Sequence, residues 1–329
     1  MSQAPDIFTE YAGWMKARIV LAAAELDMFT QLDEKPLTAE ELAQKLKADA
    51  RAVARILDCL VVFELLEKQN GRYRLTEKGA LFSSRHPETV LPMLLHMNNM
   101  WDNWAMLSET VKQGKNPRLK PAVEAKDEEV TKAFIGAMHV IGKSLSREIA
   151  AACYLSRFTR LIDIGGGSGT YTIAFLEKNP QMKAVIFDLP GVIPLAEERL
   201  AAERLTGRVQ LVAGDFSKDE LPKGCDLALL SAIIHQNSPQ ENLELFRKIY
   251  RALPPGGAVL IRDHIMDESR TAPPAGALFA INMLVHTTGG DTYTFNEVKG
   301  LLEQAGFTGV KLLRSGERMD CLVEATKPR

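Results

Sequence analysis

From Arg160 to Asp263 short apolar runs alternate with amphipathic ones, and no other feature narrows the possible folds as sharply. LIDI (161–164), KAVIFDL (183–189), RVQLVAGD (208–215), CDLALLS (225–231) and AVLIRD (258–263) are rich in Val, Ile, Leu and Phe and read as strands. Helical stretches separate them, one opening at Gly169, then IPLAEERLAAE and PQENLELFRKIYRAL. Strands that are apolar on both faces and linked through helices build a parallel sheet covered on both sides. The expected class is therefore α/β, with a doubly wound sheet over residues 156–329.

The chain has 329 residues, more than one core usually serves, so a second domain is expected before the sheet. Residues 1–90 read as helices closed by one hairpin. Apolar spacing through Ile19, Ala22, Ala23 and Leu26 predicts a helix from Ile7 to Phe29. Thr38-Ala-Glu-Glu is a capping-box pattern opening a second helix that runs to Leu46, and a third spans about Ala50 to Leu66. Asn70-Gly71 then stands between two short alternating segments, a strong hairpin signal. Helices followed by a hairpin form a winged-helix pattern. Residues 91–155 read as helices around a polar, proline-marked loop, GKNPRLKPAVEAKDEEV, and form a helical linker.

A winged helix raises the question of DNA. Residues 1–90 hold 12 Lys and Arg against 14 Asp and Glu, and the would-be recognition helix ARAVARILDCLVVFELLEK is mostly apolar. A DNA-binding face needs clustered basic residues, so subunit contact fits this domain better. A formal net charge of -2 likewise gives no footprint for nucleic acid or anionic membrane. Apolar runs such as IVLAAAEL fall far short of the ~20 residues a membrane span needs. The N-terminus has no basic region followed by an apolar core, so no signal peptide is read there. Four scattered cysteines, Cys59, Cys153, Cys225 and Cys321, form no CxxC pair and read as reduced thiols. A cytoplasmic protein without a structural metal is the expectation.

The richest segment is LIDIGGGSGTYT. Gly165, Gly166, Gly167 and Gly169 make a tight strand-to-helix turn, where the missing Cβ atoms let backbone N–H groups and a ligand approach closely. Many doubly wound folds bind something at such a turn, so spacing must discriminate. A dinucleotide fingerprint counted from Gly165 needs Gly or Ala at position 170, where Thr170 stands. The acid Asp163, two residues before the first glycine, completes Asp-x-Gly-x-Gly-x-Gly, the pattern of S-adenosylmethionine sites. Asp188, at the end of the second strand, suits the ribose hydroxyls. Asp215, in Ala-Gly214-Asp215-Phe216 at the end of the third, suits the adenine amino group, with Phe216 against the ring.

Together LIDIGGGSG, VIFDLP, AGDF, ALLSAIIHQ and LLEQAGF resemble the caffeic-acid and acetylserotonin (hydroxyindole) class of O-methyltransferases over almost the whole chain. The resemblance implies a Rossmann-like catalytic domain behind a winged-helix dimerisation domain, a homodimer, S-adenosylmethionine as co-substrate, no metal, and a small, aromatic hydroxyl acceptor. It places Gly165, Gly167, Asp188, Leu189, Gly214, Asp215, Phe216 and Ser231 around the co-substrate, Ser231 matching a position often filled by lysine in plant members. It sets Met138 in the acceptor pocket, with Phe134 one helical turn before it; His96, Asn99 and Trp104 are further candidates for that pocket.

The resemblance also singles out His235, which directly follows the strand DLALLSAII, as general base. An imidazole titrates near pH 6.5 and can hold an acceptor's proton at neutral pH, a contribution of ~10²–10⁴-fold. The residues after it, Gln236 and Asn237, depart from the family's usual Asp and aromatic. Its first supporting acid matches Asp263; its second falls at Thr292, with Asp291 adjacent. His264 and His286 are secondary candidates. Methylation at carbon or nitrogen on the same scaffold, or an S-adenosylmethionine-binding regulator, remain the alternatives.

Overall fold

The computed structural model describes residues 12–119 and 127–329. The chain divides into two compact units, the first ending at Trp101 and the second beginning at Asp102.

The first unit holds α1 (Gly13–Glu25), α2 (Met28–Glu34), α3 (Ala39–Leu46), α4 (Ala50–Val62), β1 (Leu66–Gln69), β2 (Arg72–Leu75) and α5 (Glu77–Ala80). The single helix expected from Ile7 to Phe29 differs among the described residues: α1 stops at Glu25, and Asp27 adopts φ 56°, the left-handed region that breaks helical hydrogen bonding. Ile7 itself lies outside the described residues. The capping box at Thr38 forms, its Oγ1 accepting the Glu41 N–H at 3.2 Å while Glu41 Oε2 accepts the Thr38 N–H at 2.8 Å. Asn70 and Gly71 take φ 52° and 76°, the paired positive values of a two-residue hairpin turn. On α4, Val53, Leu57 and Leu60 are buried against Phe29, Leu37, Leu42 and Tyr73. The helix is thus amphipathic, with the apolar face its sequence predicts.

Helix α6 (Leu91–Ala105) carries the chain into the second unit, which continues with α7 (Leu107–Gln113), α8 (Glu128–Ala152), β3 (Arg160–Ile164), α9 (Thr170–Lys178), β4 (Lys183–Asp188), α10 (Ile193–Ala202), β5 (Val209–Ala213), β6 (Leu227–Ser231), α11 (Pro239–Ala252), β7 (Ala258–Asp263), β8 (Ile265–Met266), α12 (Pro274–His286), β9 (Tyr293–Thr294), α13 (Phe295–Gln304), β10 (Thr308–Arg314) and β11 (Cys321–Thr326). Seven strands form one sheet in the order β10-β11-β7-β6-β3-β4-β5. The five strands read from the sequence are parallel, and β11 runs antiparallel between β7 and β10.

Leu161, Phe175, Leu229 and Leu260 fill one face of the sheet, Ile162, Phe187, Phe246 and Ile261 the other. Burial on both faces explains the near-continuous apolar runs. The chain winds outward from β3 through β4 to β5, then returns to β6 and β7 on the other side. The carboxyl ends of β3 and β6 therefore flank the switch point where such sheets leave a ligand crevice. Among the described residues no helix is long and apolar enough to cross a membrane.

Candidate active site

The glycine turn lies at that switch point. Gly165, Gly167 and Gly169 take φ 69°, 56° and 81°, and a Cβ on Gly165 would stand 2.5 Å from Ile233 Cδ1. Only glycine satisfies both the positive φ and the close approach. The turn is pinned to the neighbouring strand β4: the Gly165 N–H donates to the Phe187 carbonyl at 2.8 Å, and the Gly167 N–H to Asp188 Oδ2 at 2.7 Å.

The three carboxylates expected together occupy different environments. Asp188 ends β4, and its Oδ1 accepts the Leu189 N–H at 2.7 Å. Burial raises its carboxyl above the ordinary range, while the two backbone N–H groups pull it back. A carboxylate accepting two such bonds keeps lone pairs for hydroxyl donors. Asp163 stands one residue before the end of β3 and is 1% exposed. Its Oδ2 accepts the Thr172 hydroxyl of α9 at 2.6 Å, and its buried Oδ1 has no partner. Burial pushes this acid up to about 6, with Asp188 adding to the rise and Thr172 opposing it. Asp215 lies two residues beyond β5; its carboxylate accepts from the Ser217 backbone and hydroxyl and from Lys218 Nζ at 2.8 Å.

Just before Asp215, the Gly214 N–H donates to the Asp188 carbonyl at 2.9 Å. A Cβ there would fall 2.4 Å from the Phe187 ring. Phe216 approaches the turn, 3.7 Å from where a Gly165 Cβ would be, and Leu189 is 37% exposed beside Asp188.

Across the switch point, β6 ends at Ser231 and the chain enters a 3-10 turn, Ile234–Gln236, that carries His235. His235 Nδ1 lies 2.9 and 3.0 Å from the two oxygens of Asp263, at the end of the adjacent β7. Asp263 is fully buried and also accepts the His264 N–H at 2.8 Å. Burial alone would raise this carboxyl; His235, Arg262 and the His264 N–H outweigh it and hold it below its ordinary value. An ionised carboxylate only accepts, so Nδ1 carries a proton, and in the neutral form of the ring Nε2 is the nitrogen with the lone pair. Phe279 of α12 meets the imidazole edge-to-face at 4.8 Å. Asp291 is not part of this pair: it is held by Arg270 at 3.4 Å and by the Thr292 N–H.

An O-methyltransferase domain model matches residues 104–308 and an O-methyltransferase dimerisation domain model matches residues 10–85. The chain belongs to the O-methyltransferase family. It is 31% identical to the 3-hydroxy-5-methyl-1-naphthoate 3-O-methyltransferase of Streptomyces sahachiroi, over 94% of this chain and 91% of the relative. It is 29% identical to the acetylserotonin O-methyltransferase of Gallus gallus, over 97% and 96%. The structure of human N-acetylserotonin methyltransferase in complex with SAM superposes with a TM-score of 0.85 at 28% identity, covering 100% of this chain and 99% of that one. S-adenosylmethionine is the co-substrate. The residues fit it: a glycine turn without Cβ obstruction, an acid with spare lone pairs at the end of β4, and an orphaned buried oxygen on Asp163.

The remaining candidates of this O-methyltransferase lie on α6 and α8. Phe134 and Met138 are half-buried, one turn apart on α8. Trp104 spends its indole N–H on Asn282 of α12 at 3.0 Å. His96, buried, and Asn99, exposed, belong to the first unit. Thr172 and Phe279 went unread in the sequence. Thr172 could have been found, as a hydroxyl one turn into the helix after the glycines; Phe279 has no local signal, being 44 residues beyond His235.

Proposed function

We propose that this O-methyltransferase methylates the hydroxyl of a small aromatic acceptor, with His235 as general base and Asp263 as the residue that orients it. One observation carries the reading: His235 Nδ1 is clasped by both oxygens of a fully buried carboxylate, which leaves Nε2 as the acceptor of the substrate's proton. The naphthoate relative's name specifies a ring hydroxyl as its target, and this supports the same acceptor class here.

S-adenosylmethionine supplies an electrophilic methyl group whose bonding electrons stay on sulfur, leaving S-adenosylhomocysteine. His235 takes the hydroxyl proton as that oxygen gains its new bond to carbon, and Asp263 stabilises the resulting imidazolium. Asp188 binds the ribose hydroxyls; Asp215 and Phe216 hold the adenine; Asp163, Gly165, Gly167, Leu189, Gly214 and Ser231 complete the co-substrate site. Phe134, Met138 and Trp104 contribute to the acceptor pocket. Positioning two reactants in this way is worth on the order of 7–11 kcal/mol. The match to the dimerisation domain model supports a homodimer formed through residues 1–90.

The test is His235→Ala. Turnover on a phenolic acceptor is expected to fall at least about 10²-fold, with S-adenosylhomocysteine affinity by calorimetry unchanged. Unchanged turnover would refute the base assignment.

A further inference from the structure

Arg262 interrupts the apolar run AVLI-Arg-Asp at the penultimate position of β7, level with Ser231 at the end of β6. It is 3% exposed. Among the described residues its only hydrogen bond runs from Nη1 to Ser231 Oγ at a long 3.4 Å; no carboxylate pairs with it, and its buried Nε has no partner. Its guanidinium stands 5.0 Å from the ring centroid of Tyr171, in the first turn of α9. Tyr171 is itself 9% exposed, and its buried hydroxyl has no partner either.

A guanidinium this deep normally faces an acid, because desolvation without a counter-charge is strongly unfavourable. Here a cation, an idle N–H and an idle hydroxyl converge beside the half-buried Ser231, at the crevice end of the sheet. The set lacks a bidentate anion of carboxylate geometry.

We propose that Arg262, assisted by Tyr171 and Ser231, binds the α-carboxylate at the amino-acid end of S-adenosylmethionine. The inference rests on the assignment of Asp215 to adenine and Asp188 to ribose made above. With those two groups at β5 and β4, the other end of the molecule extends past the glycine turn of β3 toward β6 and β7, where Ser231 and Arg262 stand. A carboxylate on the acceptor is the other source of the same chemistry. It fits less well, because side chains alternate along β7: Arg262 lies on the Leu260 face toward α9, while Asp263 points to the opposite face, toward His235.

The experiment is calorimetric binding of two ligands that share the adenosine: S-adenosylhomocysteine, which has the carboxylate, and 5′-methylthioadenosine, which lacks the whole amino-acid end. Arg262→Met is expected to weaken S-adenosylhomocysteine at least about tenfold and to leave 5′-methylthioadenosine within about twofold. Tyr171→Phe, which keeps the ring and its contact with the cation, is expected to give a smaller loss confined to the same ligand. Should Arg262→Met fail to fold, Tyr171→Phe and Arg262→Lys carry the comparison. Equal weakening of both ligands would make Arg262 a packing residue and overturn the proposal, as would no weakening of either. A loss seen only in KM for a carboxylated phenol, against an uncharged one, would reassign the site to the acceptor and also overturn it. Asp188→Ala is the separate control: it is expected to weaken both ligands, and intact affinity for both would sink the ribose assignment while leaving the Arg262 comparison readable.

Discussion

Replacing Asp263 by Asn tests the pairing on which the proposed chemistry depends. The amide is isosteric, and its oxygen can keep the 2.8 Å bond from the His264 N–H. Its NH₂ then takes the place of Oδ2, 3.0 Å from His235 Nδ1. A donor there opposes the Nδ1–H tautomer, which only the amide oxygen 2.9 Å away, already shared with the His264 N–H, still accepts; the proton shifts toward Nε2, and the proposed base presents a hydrogen where it needs a lone pair. Tautomer inversion of this kind costs ~10⁴ in kcat in the serine-protease triad, and the general-base contribution at risk spans ~10²–10⁴-fold. A fall of about 10³, on the order of 4 kcal/mol of barrier, is therefore expected for Asp263→Asn. Initial rates at saturating co-substrate and acceptor, beside calorimetric affinity for S-adenosylhomocysteine, measure it. The same variant has a stability signature. The wild-type carboxyl is held below its ordinary value, so its contribution to stability is present above about pH 4 and is lost as pH falls through the lower folded value. Asp263→Asn should flatten that acid limb. A kcat within about threefold of wild type, with binding intact, would show that Asp263 merely packs beneath the histidine and would refute the reasoning.

Asp163 carries the opposite sign: raised to about 6 in the fold, it binds a proton that the unfolded chain releases near pH 4, so its contribution to stability is full below that and declines as pH rises to about 6. Melting temperatures of Asp163→Asn between pH 4 and 7 should lack that decline, worth at most about 3 kcal/mol, and a slope identical to wild type would contradict the buried-acid account. Gly214→Ala drives a Cβ to within 2.4 Å of the buried Phe187 ring, so a loss of about 1–3 kcal/mol and weaker S-adenosylhomocysteine binding are expected from denaturant titration and calorimetry. Undiminished stability would mean that the β5 turn shifts freely.

The parts of this fold that were legible in the sequence are those whose physics is local. The strand–helix alternation reflects burial of each strand on both faces, and Asn70-Gly71 and Thr38-x-x-Glu41 place the required backbone and side-chain atoms within four residues of each other. The glycine turn is local too. The break at Asp27 left no such mark, since the apolar spacing continues through Leu26 into Met28 and Phe29 while the backbone turns left-handed. What the carboxylates do was less legible than where they stand. Asp163, Asp188 and Asp215 share residue type and sheet edge, yet one is sealed beneath α9, one ties the glycine turn, and one is taken by its sequence neighbours Ser217 and Lys218; the first two environments come from segments brought against them by the fold. The same holds for the proposed base. Spacing puts His235 after a strand, but only the register of β6 against β7 brings Asp263 within hydrogen-bond reach, and it also sets Arg262 beside Ser231. One strand pairing therefore positions two groups on opposite faces of the sheet, an acid for the histidine and a cation facing α9. A slip of that pairing by one residue would exchange the faces and disable both.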